Sequence, residues 1–244
     1  MRDFASTREC IERDGFATVD DFASGFVVDE LKASINGLGD RAGTRQLHRA
    51  VPAVAEFLAG DALREWIQAL VPGGFPVRTI FFDKTPTANW KVPWHQDLTI
   101  CVRERHEVPG FSGWSVKEGV VHVQPPVEVL NRMVTIRLHL DDCGPENGPL
   151  RVLPGSHRGG RLGPDAIARW QVMREPVTCV APRAAAVIMK PLILHGSSAA
   201  KKPEHRRVLH IEIAAESLPA PLEWAMKQSD NANKSQSSDY VLAR

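Results

Sequence analysis

Apolar residues in the first third of the chain recur at spacings of three and four positions, the period of an amphipathic α-helix. Two such stripes occur: Val28, Leu31, Ile35 and Leu38 in the first, and Leu63, Trp66, Ile67 and Leu70 in the second. The second stripe ends before Pro72-Gly73-Gly74, a sequence that stops helices. Because a helical stripe normally packs against a sheet, residues 1–74 are predicted to form a helical flank of a larger domain.

From Pro76 the pattern changes to the two-residue period of β-strands. Residues 133–141 alternate most cleanly, with Val134, Ile136, Leu138 and Leu140 on one face and Thr135, Arg137, His139 and Asp141 on the other. This pattern predicts a strand with the core on one side and solvent or a polar cavity on the other. Further strands are predicted at 77–84, 150–153, 177–180, 184–189, 192–194 and 208–213, and a helix at 164–173. Many short strands separated by turns indicate a β-sandwich or barrel.

These elements are predicted to form a single domain over residues 1–244, mainly β with flanking helices, whose core spans residues 75–216. Residues 103–128 interrupt the core as an irregular insertion rich in Pro and Gly, and they include Trp114. Long loops inside compact domains are often functional, so this insertion is predicted to be a lid. The tail, 217–244, is rich in Pro, Asn and Ser, and a frayed or loosely docked segment is expected.

Composition excludes several functional classes. The formal charge of +1, with 30 basic and 29 acidic residues interspersed, offers no field for nucleic acid or an anionic membrane. The four cysteines are far apart and form no C-x-x-C, so neither a zinc site nor a disulfide framework is predicted. Without an apolar leader or a long apolar run, the chain is expected to be a soluble cytoplasmic protein of undetermined oligomeric state.

Candidate chemistry begins with Pro93-Trp94-His95-Gln96-Asp97. Side chains two positions apart on an extended segment share a face, so His95 and Asp97 can supply two ligands of a 2-His-1-carboxylate iron site. The pair His139 and Asp141 repeats this spacing and is a rival. Spacing alone leaves both pairs open.

A third ligand is predicted downstream, where the apolar run 191–194 delivers His195 ahead of Gly196. A small residue at position 196 is expected to let a metal ion sit close. Arg206 shares a strand face with His210 and Glu212, whereas Arg207 shares the apolar face. Arg206 is therefore the arginine predicted to face a polar cavity, where its guanidinium can bind a carboxylate through two parallel hydrogen bonds.

The ordered motifs H-x-D at 95–97, N-G-P-L-x-V-x-P-G-S-H at 147–157, and H-G-S at 195–197 with an arginine eleven residues on, resemble the phytanoyl-CoA dioxygenase family. The resemblance covers roughly residues 75–215. It implies a double-stranded β-helix, a jelly-roll, cupin-like core. It also implies Fe(II) held by His95, Asp97 and His195, and 2-oxoglutarate bound by Arg206 with accessory contacts from Ser197 and Trp114. His139 then becomes a hydrogen-bonded wall residue of the strand before the second motif.

The activity implied by this resemblance is O2-dependent hydroxylation of a small organic substrate, with release of succinate and CO2. Related halogenases replace the carboxylate ligand with a small residue, so Asp97 favours hydroxylation. Two alternatives remain open: a cupin-like metalloenzyme that does not use 2-oxoglutarate, and a non-catalytic binding or sensor protein on the same fold. The motifs do not identify the prime substrate.

Overall fold

The computed structural model describes residues 3–35 and 43–226. In these residues the helices are α1 (Phe4–Asp14), α2 (Gly25–Ile35), α3 (Leu47–Ala50), α4 (Pro52–Ala59), α5 (Asp61–Leu70), α6 (Val127–Asn131) and α7 (Pro164–Met173). The strands are β1 (Phe16–Val19), β2 (Gly43–Arg45), β3 (Phe75–Lys84), β4 (Val92–His95), β5 (Ile100–Val102), β6 (Ser112–Lys117), β7 (Val120–Gln124), β8 (Val134–His139), β9 (Leu150–Val152), β10 (Val177–Cys179), β11 (Ala186–Met189), β12 (His195–Ser197) and β13 (Arg206–Ala214).

The strands form three antiparallel sheets. A six-stranded sheet has the order β1-β11-β8-β13-β3-β2, and a four-stranded sheet has the order β10-β9-β12-β4. Side chains of both sheets line one central cavity, which is the arrangement of a jelly-roll barrel. The third sheet, β5-β7-β6, lies within the segment between β4 and β8. The predicted fold, a mainly β jelly-roll with flanking helices, is confirmed.

The two faces of the six-stranded sheet differ sharply in polarity. On the outer face, apolar side chains of β8, β11 and β13 join the N-terminal helices in one hydrophobic cluster, which includes Leu31, Trp66, Ile136, Ile188 and Leu209. Each of those five side chains is almost completely buried. The helical stripes of the sequence therefore pack where expected, although Leu38 lies outside the described residues.

The inner face of the same sheet carries polar side chains in register. His210 on β13 pairs with Arg137 on β8, and Glu212 pairs with Arg78 on β3. These side chains are shielded from bulk solvent and most of them line the central cavity. The polar face predicted for residues 133–141 thus points into the barrel along β8, but Asp141, beyond the end of that strand, pairs with Lys32 of α2 and with Arg207 instead.

Three local expectations are wrong. The insertion at 103–128 is not irregular, because β6 and β7 form a sheet with β5. The run 192–194 is a turn, and the strand begins at His195. Residues 217–226 are docked: Trp224 is 7% exposed, bridges to Val102, and donates its indole N–H to the Glu216 carbonyl at 3.0 Å. These packed apolar residues outweigh the polar composition of the tail, whose remainder lies outside the described residues.

No helix within the described ranges, 3–35 and 43–226, combines the length and the apolar character that a membrane span requires.

Candidate metal centre and cavity

His95 and His195 are brought together by strand pairing. β4 and β12 are antiparallel neighbours in which His95 and His195 are directly opposite, and their ring centroids lie 4.1 Å apart. Asp97 follows two residues after His95, and its backbone N–H donates to the Pro191 carbonyl at 2.9 Å. Asp97 and His195, which are 98 residues apart in the sequence, are thereby brought together at one end of the four-stranded sheet.

The three side chains present their ligand atoms to a common point. Nε2 of His95 lies 3.8 Å from Oδ1 of Asp97, and Nε2 of His195 lies 3.6 Å from Oδ2. All three ligand atoms lie within 4.8 Å of one another, close enough to hold one metal ion. The predicted triad His95, Asp97 and His195 is therefore assembled in space.

Backbone carbonyls fix the orientation of both imidazoles. Nδ1 of His95 lies 2.9 Å from the Pro93 carbonyl, and Nδ1 of His195 lies 2.9 Å from the Ile193 carbonyl. Because a carbonyl oxygen only accepts, each Nδ1 carries the proton and each Nε2 keeps a free lone pair. Such outer hydrogen bonds are the usual way to orient a metal-binding histidine.

The electrostatics suit a cation. Burial alone would raise the pKa of Asp97. The neighbouring His195, His210, His95 and Arg78 outweigh this effect and lower the pKa to about 2. Burial lowers the pKa of His195 to about 4, so this imidazole is neutral at pH 7. Oδ2 of Asp97 is buried without a hydrogen-bond partner. An ionised carboxylate with an unsatisfied buried oxygen, beside two imidazole lone pairs, fits a divalent metal ion.

Gln96 anchors the segment from the opposite face. Its side-chain amide donates to the carbonyls of Gly160 and Leu192 at 2.8 and 2.6 Å, and its Oε1 accepts from the Leu162 N–H at 2.8 Å. Three hydrogen bonds on the residue between two ligands hold His95 and Asp97 toward the cavity. This role was not predicted, although an amide residue between two candidate ligands is visible in the sequence.

Gly196 serves strand packing. A Cβ at position 196 would lie 2.9 Å from the Val92 carbonyl on β4, closer than side chains normally approach backbone. Close contact between β12 and β4 is therefore one reason for glycine at this position, and the predicted reason, room for the metal ion, stays a prediction.

The triad opens into a cavity of about 290 Å³. Its lining combines both sheets and the loop before β4: Arg78, Ile80, Phe82, Trp90, Val92, His95, Asp97, Arg137, Leu150, His195, Gly196, Ser197, Arg206, His210 and Glu212. A second cavity of about 420 Å³ shares Val92, Gly196 and Ser197 with the first and is also lined by Ile167 and Gln171 of α7. His95, Asp97 and His195 line the inner cavity and do not line the outer one.

The two consecutive arginines point in different directions. Arg206 is 4% exposed and lines the inner cavity, where one guanidinium N–H donates to the Gly148 carbonyl and Nε has no partner. Arg207 binds Asp141 instead, with Nε and Nη2 at 2.7 and 2.8 Å from its two oxygens. The face predicted for each arginine matches these positions.

Ser197 and Lys84 complete the wall beside Arg206. Ser197 lines the inner cavity, and its hydroxyl accepts a hydrogen bond from Nζ of the fully buried Lys84 at 3.1 Å. Burial and the neighbouring Arg206 lower the pKa of Lys84 to about 8. Lys84 was not among the predicted site residues, although its position opposite Arg206 on the next strand places two cations side by side.

Trp114 lies elsewhere. It is on β6, packs against the hydrophobic cluster around Val102 and Val123, and has the Arg105 guanidinium 5.5 Å from its ring centroid. No residue of the insertion 103–128 lines the inner cavity. Because β6 belongs to the separate three-stranded sheet, the structure does not support the predicted contact of Trp114 with the co-substrate.

The rival pair is separated by the sheet. Asp141 is bound by Arg207 and by Lys32, the latter at 2.8 Å. His139 is 2% exposed, and burial lowers its pKa to about 3. Neither of its ring nitrogens has a hydrogen-bond partner, so the expectation of a hydrogen-bonded wall residue is wrong, although its position in the barrel wall is confirmed.

A jelly-roll barrel that presents two histidines and one carboxylate to an internal cavity defines a double-stranded β-helix protein with the metal-binding triad typical of non-haem Fe(II) oxygenases. The model of the phytanoyl-CoA dioxygenase (PhyH) family matches residues 11–208, and the chain belongs to this family.

Solved structures share the fold. AviO1 from Streptomyces viridochromogenes Tue57 is 24% identical, with 90% of this chain and 98% of that chain covered and a TM-score of 0.66. EctD from S. alaskensis with 2-oxoglutarate and 5-hydroxyectoine is 19% identical, with 86% and 76% covered and a TM-score of 0.67. The alpha-ketoglutarate-dependent epimerase SnoN from nogalamycin biosynthesis is 14% identical, with 88% and 81% covered and a TM-score of 0.67. No curated protein matches the sequence.

Proposed function

We propose that this protein is an Fe(II)- and 2-oxoglutarate-dependent dioxygenase that hydroxylates a small organic substrate and releases succinate and CO2. The observation that carries the proposal is one internal cavity lined by three metal-ligand side chains and by a buried arginine. Solved relatives of the fold are described with iron and with 2-oxoglutarate bound, which supports the same pair of cofactors here.

His95, Asp97 and His195 would hold the iron through two Nε2 atoms and a carboxylate oxygen. When bound, the iron and 2-oxoglutarate supply oxidative decarboxylation coupled to oxidation of the substrate. The protein contributes rigidity, since the Nδ1–carbonyl hydrogen bonds and the Gln96 anchor hold the ligands in place before any metal arrives. Positioning of this kind lowers the cost of assembling reactants.

Arg206 would bind the distal carboxylate of 2-oxoglutarate. Its Nε is a buried donor without a partner, and another N–H of the same guanidinium donates to the Gly148 carbonyl. A Cβ at Gly148 would lie 2.7 Å from the Ser198 carbonyl, so only glycine allows this loop to pack there. Ser197 adds a hydroxyl on the same wall, and burial strengthens each of these contacts.

The prime substrate would bind in the inner cavity, because the three ligand side chains line it and do not line the outer one. Asp97 retains the coordination position that a halide would need, which supports hydroxylation over halogenation.

The test combines co-substrate turnover with oxygen labelling. Protein loaded with Fe(II) should form succinate slowly from 2-oxoglutarate and O2, and the rate should rise when a mixture of small metabolites contains a substrate. Under ¹⁸O2, the product should gain one labelled oxygen atom. Because solved structures of this fold include an epimerase and a carbocyclase, a product that is isomerised or cyclised without labelled oxygen would contradict hydroxylation. Turnover that is indifferent to 2-oxoglutarate would contradict the whole proposal.

A further inference from the structure

Arg137 is a second arginine in the inner cavity. It lies on β8, is 8% exposed and lines the cavity. Its Nη1 is 2.9 Å from Nδ1 of His210, and its guanidinium carbon is 5.5 Å from the Phe82 ring centroid. Its Nε is buried without a partner.

Arg137 differs from the other cavity arginines in its partners. Arg78 forms an ion pair with Glu212 at 3.0 Å, so the Glu212 carboxylate already has a cationic partner. Arg137 instead contacts His210, whose pKa burial lowers, so the partner is a neutral imidazole that accepts through Nδ1. Within residues 3–35 and 43–226, no carboxylate oxygen lies within ion-pair distance of Arg137.

A buried guanidinium without a carboxylate in direct contact is costly, because water no longer solvates the charge and the attraction of the more distant Asp97 does not offset the effect of burial. Burial lowers the pKa of Arg137 to about 10, which still leaves it charged at pH 7. Arg137 stays charged despite this cost and has an N–H without a partner in the cavity wall, so it is suited to bind an anion.

The charge of the filled cavity points to the same conclusion. Three arginines and two carboxylates line it, and Lys84 adds a further cation through its contact with Ser197, so positive charges outnumber negative ones. On the proposed function, Fe(II) and the 2-oxoglutarate dianion cancel each other, so the positive excess remains for another ligand. An anionic substrate is therefore favoured in this cavity.

We propose that Arg137 receives a carboxylate of the prime substrate, which makes small organic acids the substrate class. This inference rests on the proposed function, in which Arg206 binds 2-oxoglutarate. The planar guanidinium matches a carboxylate.

The test uses propionate and propionamide, which have similar size and differ in charge. Each is titrated calorimetrically, without oxygen, into full-length protein loaded with Fe(II) and saturating 2-oxoglutarate. The parent protein should bind propionate at least about tenfold more tightly than propionamide, equivalent to about 1.4 kcal/mol. Arg137→Met should abolish this preference, whereas the matched control Arg151→Met, in the outer cavity, should retain it. Arg137→Lys, which keeps the charge and guards against misfolding, should weaken propionate binding about threefold or more.

A titration with 2-oxoglutarate separates the two proposals. Arg137→Met should leave its affinity within about threefold of the parent value, since Arg206 is the expected anchor. A loss comparable to that of Arg206→Met would assign Arg137 to the co-substrate and overturn the inference. The inference would also be overturned by a preference for propionate that survives Arg137→Met or is unchanged in Arg137→Lys. A preference that disappears equally in Arg151→Met would overturn it as well. If the parent itself binds no 2-oxoglutarate, the proposed function fails and this inference fails with it.

Discussion

The outer face of the six-stranded sheet stabilises the fold, whereas its inner face carries polar residues of the candidate site. The outer face is apolar and joins the N-terminal helices in the largest hydrophobic cluster. The inner face is polar and buried, with cations and carboxylates in register across β3, β8 and β13. Burial of apolar area stabilises the fold, whereas burial of charge opposes it. The inner face therefore marks function, because its residues are retained at a cost to stability.

Neighbouring arginines provide the largest contrast between the faces. Arg206→Met should weaken 2-oxoglutarate binding by about two orders of magnitude or more, because losing a buried arginine–carboxylate contact costs roughly 2–5 kcal/mol. The matched variant Arg207→Met should leave that affinity nearly unchanged and lower the free energy of unfolding by about 1–3 kcal/mol through loss of the Asp141 contacts. Calorimetric titration and urea denaturation measure the two effects. Reversal of the two phenotypes would contradict the assignment of faces.

A core truncation on the outer face should affect stability alone. Leu209 is fully buried in the cluster beneath the helices. Leu209→Ala should lower the free energy of unfolding by about 2–5 kcal/mol, from lost burial and the cavity left behind. Fe(II) stoichiometry, measured below the unfolding transition, should stay at the parent value. Loss of the metal without loss of stability would show that the outer face supports the site directly.

An effect confined to acid pH should come from His139 on the inner face. Its pKa is about 3 in the folded protein and ordinarily 6.5, so the unfolded chain binds more protons between these values. Its contribution to stability is complete above pH 6.5 and is lost as the pH falls toward 3. His139→Leu should therefore make the free energy of unfolding less sensitive to acid, by up to about 1.4 kcal/mol per pH unit. An identical pH profile for parent and variant would mean that the pKa of His139 does not change on folding.

Much of this division was predictable from the sequence because side-chain alternation is local information. The spacing at 133–141 separated the faces of β8, and the same alternation chose the face of Arg206 over that of Arg207. Helix α7 was predicted with its observed bounds. The triad required the motif resemblance, since strand pairing between His95 and His195 is a long-range contact that spacing cannot reveal.

The errors share a physical origin in tertiary packing. Trp114 was assigned by analogy, but its strand belongs to a separate sheet whose pairing is invisible in its local composition. The segment 217–226 has a polar composition, yet a few apolar residues such as Leu222 and Trp224 dock it. Arg137 was predicted on the polar face of its strand. That it has no carboxylate partner can be seen only once the partners of the neighbouring side chains are known.

The central claim, that the polar inner cavity holds one iron through His95, Asp97 and His195, is tested most directly by anaerobic Fe(II) stoichiometry in four single alanine variants. The parent and His139→Ala should bind about one Fe(II) per chain, whereas His95→Ala, Asp97→Ala and His195→Ala should each lose stoichiometric binding, since a ligand of the triad is then missing. Circular dichroism should show all five proteins folded. Loss of iron in His139→Ala, with binding retained in His95→Ala, would contradict the account.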